Sequence, residues 1–330
     1  MHTTDFKSSF FLIFLMALFL LTACHKEEAV KTELDEKPKE SAEDIIIKTD
    51  EIRLEFDEAE MDEAETDETK IAETEMDETE MNETDNNILS GLEDLNGQIE
   101  SVIAPIQSSG GMAAVYVEKL DTGAQTSVNS QPMQSASLIK LYVASCVYEQ
   151  MSMLKMQEAY EGETEELLRL MITISDNNAA NTLVTRLGSG DSVSGMAAVN
   201  QFCQAYGFLD THMGRLMLAP NDLDDNYTSV NDCGSFLRKI YTNTLPGASS
   251  ILALMQQQER TEKIPAGIPA EIITANKTGE LSDVENDAAI IFGGNGAYTV
   301  CVMMSGLSDT YTARGIITEL SAWIYQYMCL

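Results

Sequence analysis

The chain has 330 residues, enough for one large domain or two small ones. Its formal net charge is −34, and both parts carry the excess: 26 Asp and Glu face 7 Lys and Arg from Cys24 to Asn87, and 27 face 12 from Ile88 onward. Phosphate binding needs clustered Lys and Arg, so this composition argues against a nucleic-acid partner.

In chain order, Lys7 precedes an apolar run from Phe10 to Leu21 that is too short to span a bilayer as a stable helix. The run closes on "LTAC" at Leu21–Cys24. That ending resembles the lipobox of bacterial lipoproteins. The resemblance implies a signal peptide over 1–23 and lipidation of Cys24. It also implies an extracytoplasmic protein anchored to the cell membrane, since two or more acyl chains hold firmly. A secretory signal with a chance cysteine is the alternative. Residues 24–87 are acidic and repetitive, with "AEMDE" at 59–63, "AETDE" at 64–68, "TEMDE" at 74–78 and "TEMNE" at 79–83. A period of five gives neither a helix nor a strand an apolar face, and like charges repel. A disordered tether is expected, spanning on the order of 45 Å as a flexible coil. A tail that binds cations is the rival reading.

A globular composition begins at Ile88 and runs to Leu330. Ile88, Leu92, Leu95, Ile99 and Ile103 have helical spacing, and Pro105 is expected to end that helix. "MAAVYVEKL" and "AQTSVN" flank Asp121-Thr122-Gly123 and predict a β-hairpin. Helices are predicted over roughly 137–151, 163–187 and 194–206, the last of the central stretches. "DAAIIFGG" and "YTVCVMMSG" predict a second hairpin around Gly293–Gly296, followed by a helix from about Thr310. Strands at both ends with helices between and outside predict a mixed α/β chain of the α+β kind. An antiparallel sheet is flanked by N- and C-terminal helices and joined by an all-helical insert, with a cleft between.

Beyond Cys24 the cysteines are Cys146, Cys203, Cys233, Cys301 and Cys329, odd in number and without C-x-x-C pairs. Buried free thiols are expected over a disulfide framework. The histidines are His2, His25 and His212, too few in the folded part for a histidine-based zinc site, and no cofactor is expected. The 18 methionines lie mostly in apolar runs and are assigned to the core.

Three short motifs carry the chemistry: S-x-x-K at Ser137–Lys140, S-D-N at Ser175–Asn177 and K-T-G at Lys277–Gly279. Each is weak alone, and "SMLK" at Ser152–Lys155 matches the first pattern by chance near a helix end. Together and in this order, the first opening a helix and the last on an edge strand, they are the signature of class A β-lactamases and penicillin-binding proteins. The chain from about residue 88 thus resembles the class A β-lactamase-like serine hydrolases, in "SLIKLYV", "SDNNAAN" and "KTGEL" and in "DNYTSVNDCG", where Ser229 and Asp232 have capping spacing. The stretch between Ser137 and Ser175 is shorter than in typical members.

The residue types suit acyl transfer. Ser137 and Lys140, at i and i+3, project from one helix face. A serine hydroxyl needs a base to take its proton, and a lysine serves only when burial and nearby positive charge keep it neutral. The resemblance implies that Lys277 supplies that charge and attracts a substrate carboxylate, and that Ser175 relays a proton. It implies that Asn177 and Thr278 bind substrate, and that Asp176 buttresses its loop. The N–H groups of Ser137 and Glu280, the residue after Gly279, would form the oxyanion hole. No G-x-S-x-G occurs, a Ser–His–Asp triad has only His212 to use, and "ANKTG" lacks the glycine of a P-loop at Asn276.

The resemblance breaks at two points. Family members hydrolyse the acyl-enzyme with a glutamate between SDN and KTG, but no glutamate lies between Leu167 and Gln258. Asp222, Asp224 and Asp225 are the nearby carboxylates, each one methylene shorter. The arginine many members carry beyond KTG is also absent, with Asn286 or Asp287 near its place. The expectation is a β-lactam hydrolase, deacylating slowly, that acts as a monomer. The alternatives are a D,D-peptidase-like or penicillin-binding acyl-enzyme former acting on peptidoglycan peptides, and a non-catalytic lactam- or wall-binding lipoprotein.

Overall fold

The computed structural model describes residues 95–329, and the proposed leader, Cys24 and the acidic repeats lie outside them. Three strands supply most of the apolar surface on the two faces of the sheet: β1 (Met112–Lys119), β6 (Val284–Gly293), apolar from Ala288 onward, and β7 (Gly296–Ser305). With β2 (Gln125–Val128) and β5 (Thr274–Leu281) they form an antiparallel sheet in the order β2-β1-β7-β6-β5. Both expected hairpins are present, β1 with β2 and β6 with β7. A two-stranded ribbon pairs β3 (Met133–Gln134) with β4 (Tyr227–Thr228).

Alternation along the strands divides the core in two. Val115, Val117, Val300, Val302 and Met304 face helix α1 (95–108) and helix α9 (Thr310–Cys329). Ala114, Tyr116, Ile290, Cys301 and Met303 face the other helices. Those are α2 (Ile139–Glu149), α3 (Met151–Lys155), α4 (Glu163–Thr173), α5 (Asn177–Leu187), α6 (Ser192–Ala205), α7 (Val230–Tyr241) and α8 (Ala248–Met255). Helix α2 is buried continuously from Ile139 to Val147, as an all-round apolar helix must be.

Two sequence expectations need correction. Helix α1 does not stop at Pro105 but runs to residue 108. Proline removes one N–H, whereas Ile103 and Ile106 on either side of it are both buried, and that burial carries the helix on. The predicted helix 163–187 is two helices, α4 and α5, broken at 174–176. Asp176 adopts extended dihedrals and its Oδ1 accepts the Ala179 N–H at 2.7 Å, capping α5. The four cysteines Cys146, Cys203, Cys233 and Cys301 are buried free thiols, and Cys329 is a half-buried one.

Candidate active site

Ser137 sits on a short 3-10 turn, Ala136–Leu138, just before α2. The turn is held from three sides. The Ser135 N–H donates to Asn226 O at 2.8 Å. Asn286 Nδ2 on β6 donates to the carbonyls of Gln134 and Ser135 at 2.9 and 3.2 Å. Gly279 on β5 lies against the same turn: a Cβ there would come within 2.7 Å of Ser135 O and 3.2 Å of Ser137 N. Only glycine permits this approach, and it brings the strand bearing the Glu280 N–H beside the Ser137 N–H.

One turn along, Lys140 is fully buried. Its Nζ donates to Ser175 O at 2.7 Å, to Asn177 Oδ1 at 2.8 Å and to Ser175 Oγ at 3.1 Å. Lys277 Nζ, also fully buried, reaches the same hydroxyl at 2.9 Å and Thr278 O at 2.8 Å. The three motifs therefore meet at Ser175 Oγ, between two lysines. Ser175 has a left-handed φ of 60° and Ala136 one of 46°, strained values for residues with a Cβ at the two corners of the site.

Two ammonium groups cannot share one buried hydroxyl cheaply. Burial pushes Lys140 down to about 7; Asp176 opposes this and Arg260 adds to it. Burial lowers Lys277 well below the usual lysine range, with Lys140 and Arg260 as the next causes. A neutral lysine beside Ser175 is thus accessible near neutral pH.

Ser137 opens onto a cleft of about 340 Å3 whose wall includes Asn177, Arg215, Met217, Leu218 and Glu280. Asp222, Asp224 and Asp225 are not on that wall. Asp225 is buried and fully engaged: Oδ1 accepts Arg215 Nε at 2.6 Å, and Oδ2 accepts Gln134 Nε2 at 2.9 Å and Asn221 Nδ2 at 3.1 Å. Asp224 pairs with His212 at 2.8 Å on the surface, and Asp222 is exposed. The loop residues on the wall are Arg215, Met217, Leu218, Ala219 and Asn221; Met217 is clamped by Asn181, which donates to Met217 O at 3.0 Å and accepts its N–H at 2.8 Å.

Where family members carry an arginine beyond KTG, Asn286 holds the Ser135 turn. Asp287 is buried, accepting Asn276 Nδ2 at 3.1 Å and the Ile264 N–H at 3.0 Å. Cations come from elsewhere in the chain: Arg260, Lys263 and Arg314 surround Glu280. The chance match at Ser152–Lys155 lies on α3, where Lys155 pairs with Glu165 on the surface. Among the described residues no group of three or more His, Cys, Asp or Glu is placed to hold a metal ion.

Sequence reading overlooked Asn181, Arg215, Met217 and Lys263. The third asparagine of "NNAAN", Asn181, is one helical turn from Asn177, the available hint that α5 faces the loop.

An antiparallel sheet between two terminal helices and a helical lobe, with a serine-bearing cleft at the sheet edge, defines the β-lactamase-type serine hydrolase fold. The family model described as "Beta-lactamase enzyme family" matches residues 94–161 and 152–328, and the chain belongs to that family. Among solved structures it is similar to PBP-A, with 26% identity and a TM-score of 0.61, covering 71% of this chain and 95% of that one. It is equally similar to a leucine-to-glutamate mutant of PBP-A in an acyl-enzyme complex with penicillin G, with 25% identity, a TM-score of 0.61 and coverage of 71% and 96%. A beta-lactamase from Sphaerobacter thermophilus matches at 20% identity with a TM-score of 0.60, covering 69% and 96%, a likeness of fold alone.

Proposed function

We propose that the protein is a penicillin-binding serine hydrolase that forms an acyl-enzyme on Ser137 with a β-lactam or a peptidoglycan peptide and releases lactams slowly. In this reading Lys140, when neutral, takes the Ser137 proton. Ser175, between the two lysines, passes a proton to the departing nitrogen. The Ser137 and Glu280 N–H groups receive the developing oxyanion, each donor worth roughly 3–4 kcal/mol in the transition state. Lys277 is buried and touches the cleft through its hydrogen bond to Ser175. Asn177 gives its Oδ1 to Lys140, which leaves its amide N–H groups for the acyl chain. Gly279 and Thr278 shape the strand along which the substrate lies.

The observation that carries slow release is the loop wall of the cleft. Arg215, Met217, Leu218, Ala219 and Asn221 line it, and none of these side chains is a carboxylate able to activate water. This favours the penicillin-binding reading over efficient lactam hydrolysis. Lipid attachment at Cys24, with the domain displayed outside the cytoplasm, belongs to the same proposal and rests on "LTAC" alone; incorporation of labelled palmitate that a Cys24→Ala chain loses is its test.

The decisive experiment is intact-mass measurement over time after mixing with penicillin G. A single adduct that persists for minutes is expected, lost in Ser137→Ala and unchanged in Ser152→Ala. Equal labelling of wild type and Ser137→Ala ends the proposal. An adduct that never accumulates while penicillin is steadily consumed would instead mark an efficient β-lactamase.

A further inference from the structure

One rung of the β5–β6 ladder, Gly279 opposite Asn286, holds the Ser137 turn from two sides. Gly279 lies against Ser135 O and Ser137 N, and Asn286 Nδ2 donates to the carbonyls of Gln134 and Ser135. Successive residues on a strand face opposite ways, so the next rung, Glu280 opposite Glu285, turns its side chains to the far face of the sheet. Lys263 meets them there, 3.2 Å from Glu280 Oε1 and 2.6 Å from Glu285 Oε2, with only 1% of its side chain exposed. Its Nζ also donates to both backbone carbonyls of the first rung, to Asn286 O at 3.0 Å and to Gly279 O at 3.4 Å. Lys263 has no place on the cleft wall, and two carboxylates match its charge. Its route to the chemistry is therefore the backbone.

Gly279 O and the Glu280 N–H are the two ends of one planar trans peptide and point in opposite directions. A donor on the carbonyl end steadies that plane and strengthens the hydrogen bond made at the N–H end. We infer that Lys263 is a positioning residue for the oxyanion hole: from behind the sheet it fixes the rung that carries the Glu280 N–H and the Ser137 turn. The two N–H donors are thereby held converging on one acyl oxygen.

This role presupposes the proposed acyl transfer at Ser137, and the experiment tells their failures apart. Lys263→Met keeps the length of the side chain and removes its donors. Lys263→Met combined with Glu285→Gln does the same without leaving a buried carboxylate short of its partner. Acylation by penicillin G is timed by mass spectrometry. Infrared difference spectra record the ester carbonyl of the acyl-enzyme, whose stretch falls as the hydrogen bonds to it strengthen. In the wild type that band should lie below the band of the unfolded acyl-enzyme. In a folded variant it should rise toward the unfolded value while acylation slows by about tenfold to a hundredfold, the scale of a displaced oxyanion donor. Lower stability alone would leave the band of the folded acyl-enzyme where it is. A folded variant in which either readout keeps its wild-type value overturns the inference. Failure of both variants to fold overturns it as well, because Lys263 is then a folding residue alone. A wild-type adduct whose band matches the unfolded one overturns it and leaves acyl transfer standing, whereas absence of any wild-type adduct removes both.

Discussion

The side chains at the centre of the site are ordinary, and their burial is what changes their chemistry. A lysine in water holds its proton to about pH 10.4 and is no base at neutrality. Lys140 has lost its hydration, has Arg260 in range, and falls to about 7. The sign for catalysis follows from that direction. Only the neutral amine accepts the Ser137 proton, so acylation should rise with pH through 7, from about one-tenth of its plateau at pH 6 to about nine-tenths at pH 8. Stopped-flow acylation by penicillin G across that range checks it; a rate flat from pH 6 to 8 would remove Lys140 as the base. That Ser137 and Lys140 stand one turn apart was legible from their i, i+3 spacing. That both lysines converge on Ser175 was legible only through the family resemblance, because nothing local in "ISDN" or "ANKTG" sets a contact across 102 residues.

At the level of elements, the loop between α6 and α7 is the part of the cleft on which the proposed slow release depends. Arg215 and Asp225 close its base, and Asn181 fixes Met217 by both backbone groups. The backbone at 217 is thus held at the cleft wall whatever the side chain there. Met217→Glu should place a carboxylate where water can be activated and speed loss of the penicillin adduct by roughly a hundredfold, within the range of general-base catalysis. A mutant adduct as long-lived as the wild-type one would mean that position 217 does not face the acyl carbon. Sequence alone showed the missing glutamate but offered three aspartates in exchange. Asp225 has the loop-closing role because Arg215 is ten residues away along the chain and adjacent in space, a pairing that no periodicity encodes. The break between α4 and α5 was hidden for a related reason. Apolar spacing continues from Leu168 to Leu187 across it, and only the capping preference of Asp176 argues for a stop.

The whole molecule assigns different work to the two faces of one sheet. Lys277, Gly279 and Asn286 face the helical lobe and build the serine pocket, while the apolar stripe of α1 and the helix α9 close the opposite face. The element order showed this division in advance, since strands at both ends with helices between and outside predict a sheet closed by terminal helices on one face and a helical insert on the other. Ile99 on α1 is fully buried in that second layer. Ile99→Ala should cost about 3 kcal/mol through lost burial and the cavity left behind, lowering the melting temperature by roughly 6–12 °C for a domain of this size. It lies across the sheet from Ser137 and shares no partner with the serine pocket, so acylation at 25 °C should stay within about twofold of wild type. Differential scanning calorimetry and the penicillin adduct assay, run on the same preparation, test both halves. A variant that keeps its melting temperature but loses acylation would show that the sheet transmits packing from one face to the chemistry on the other.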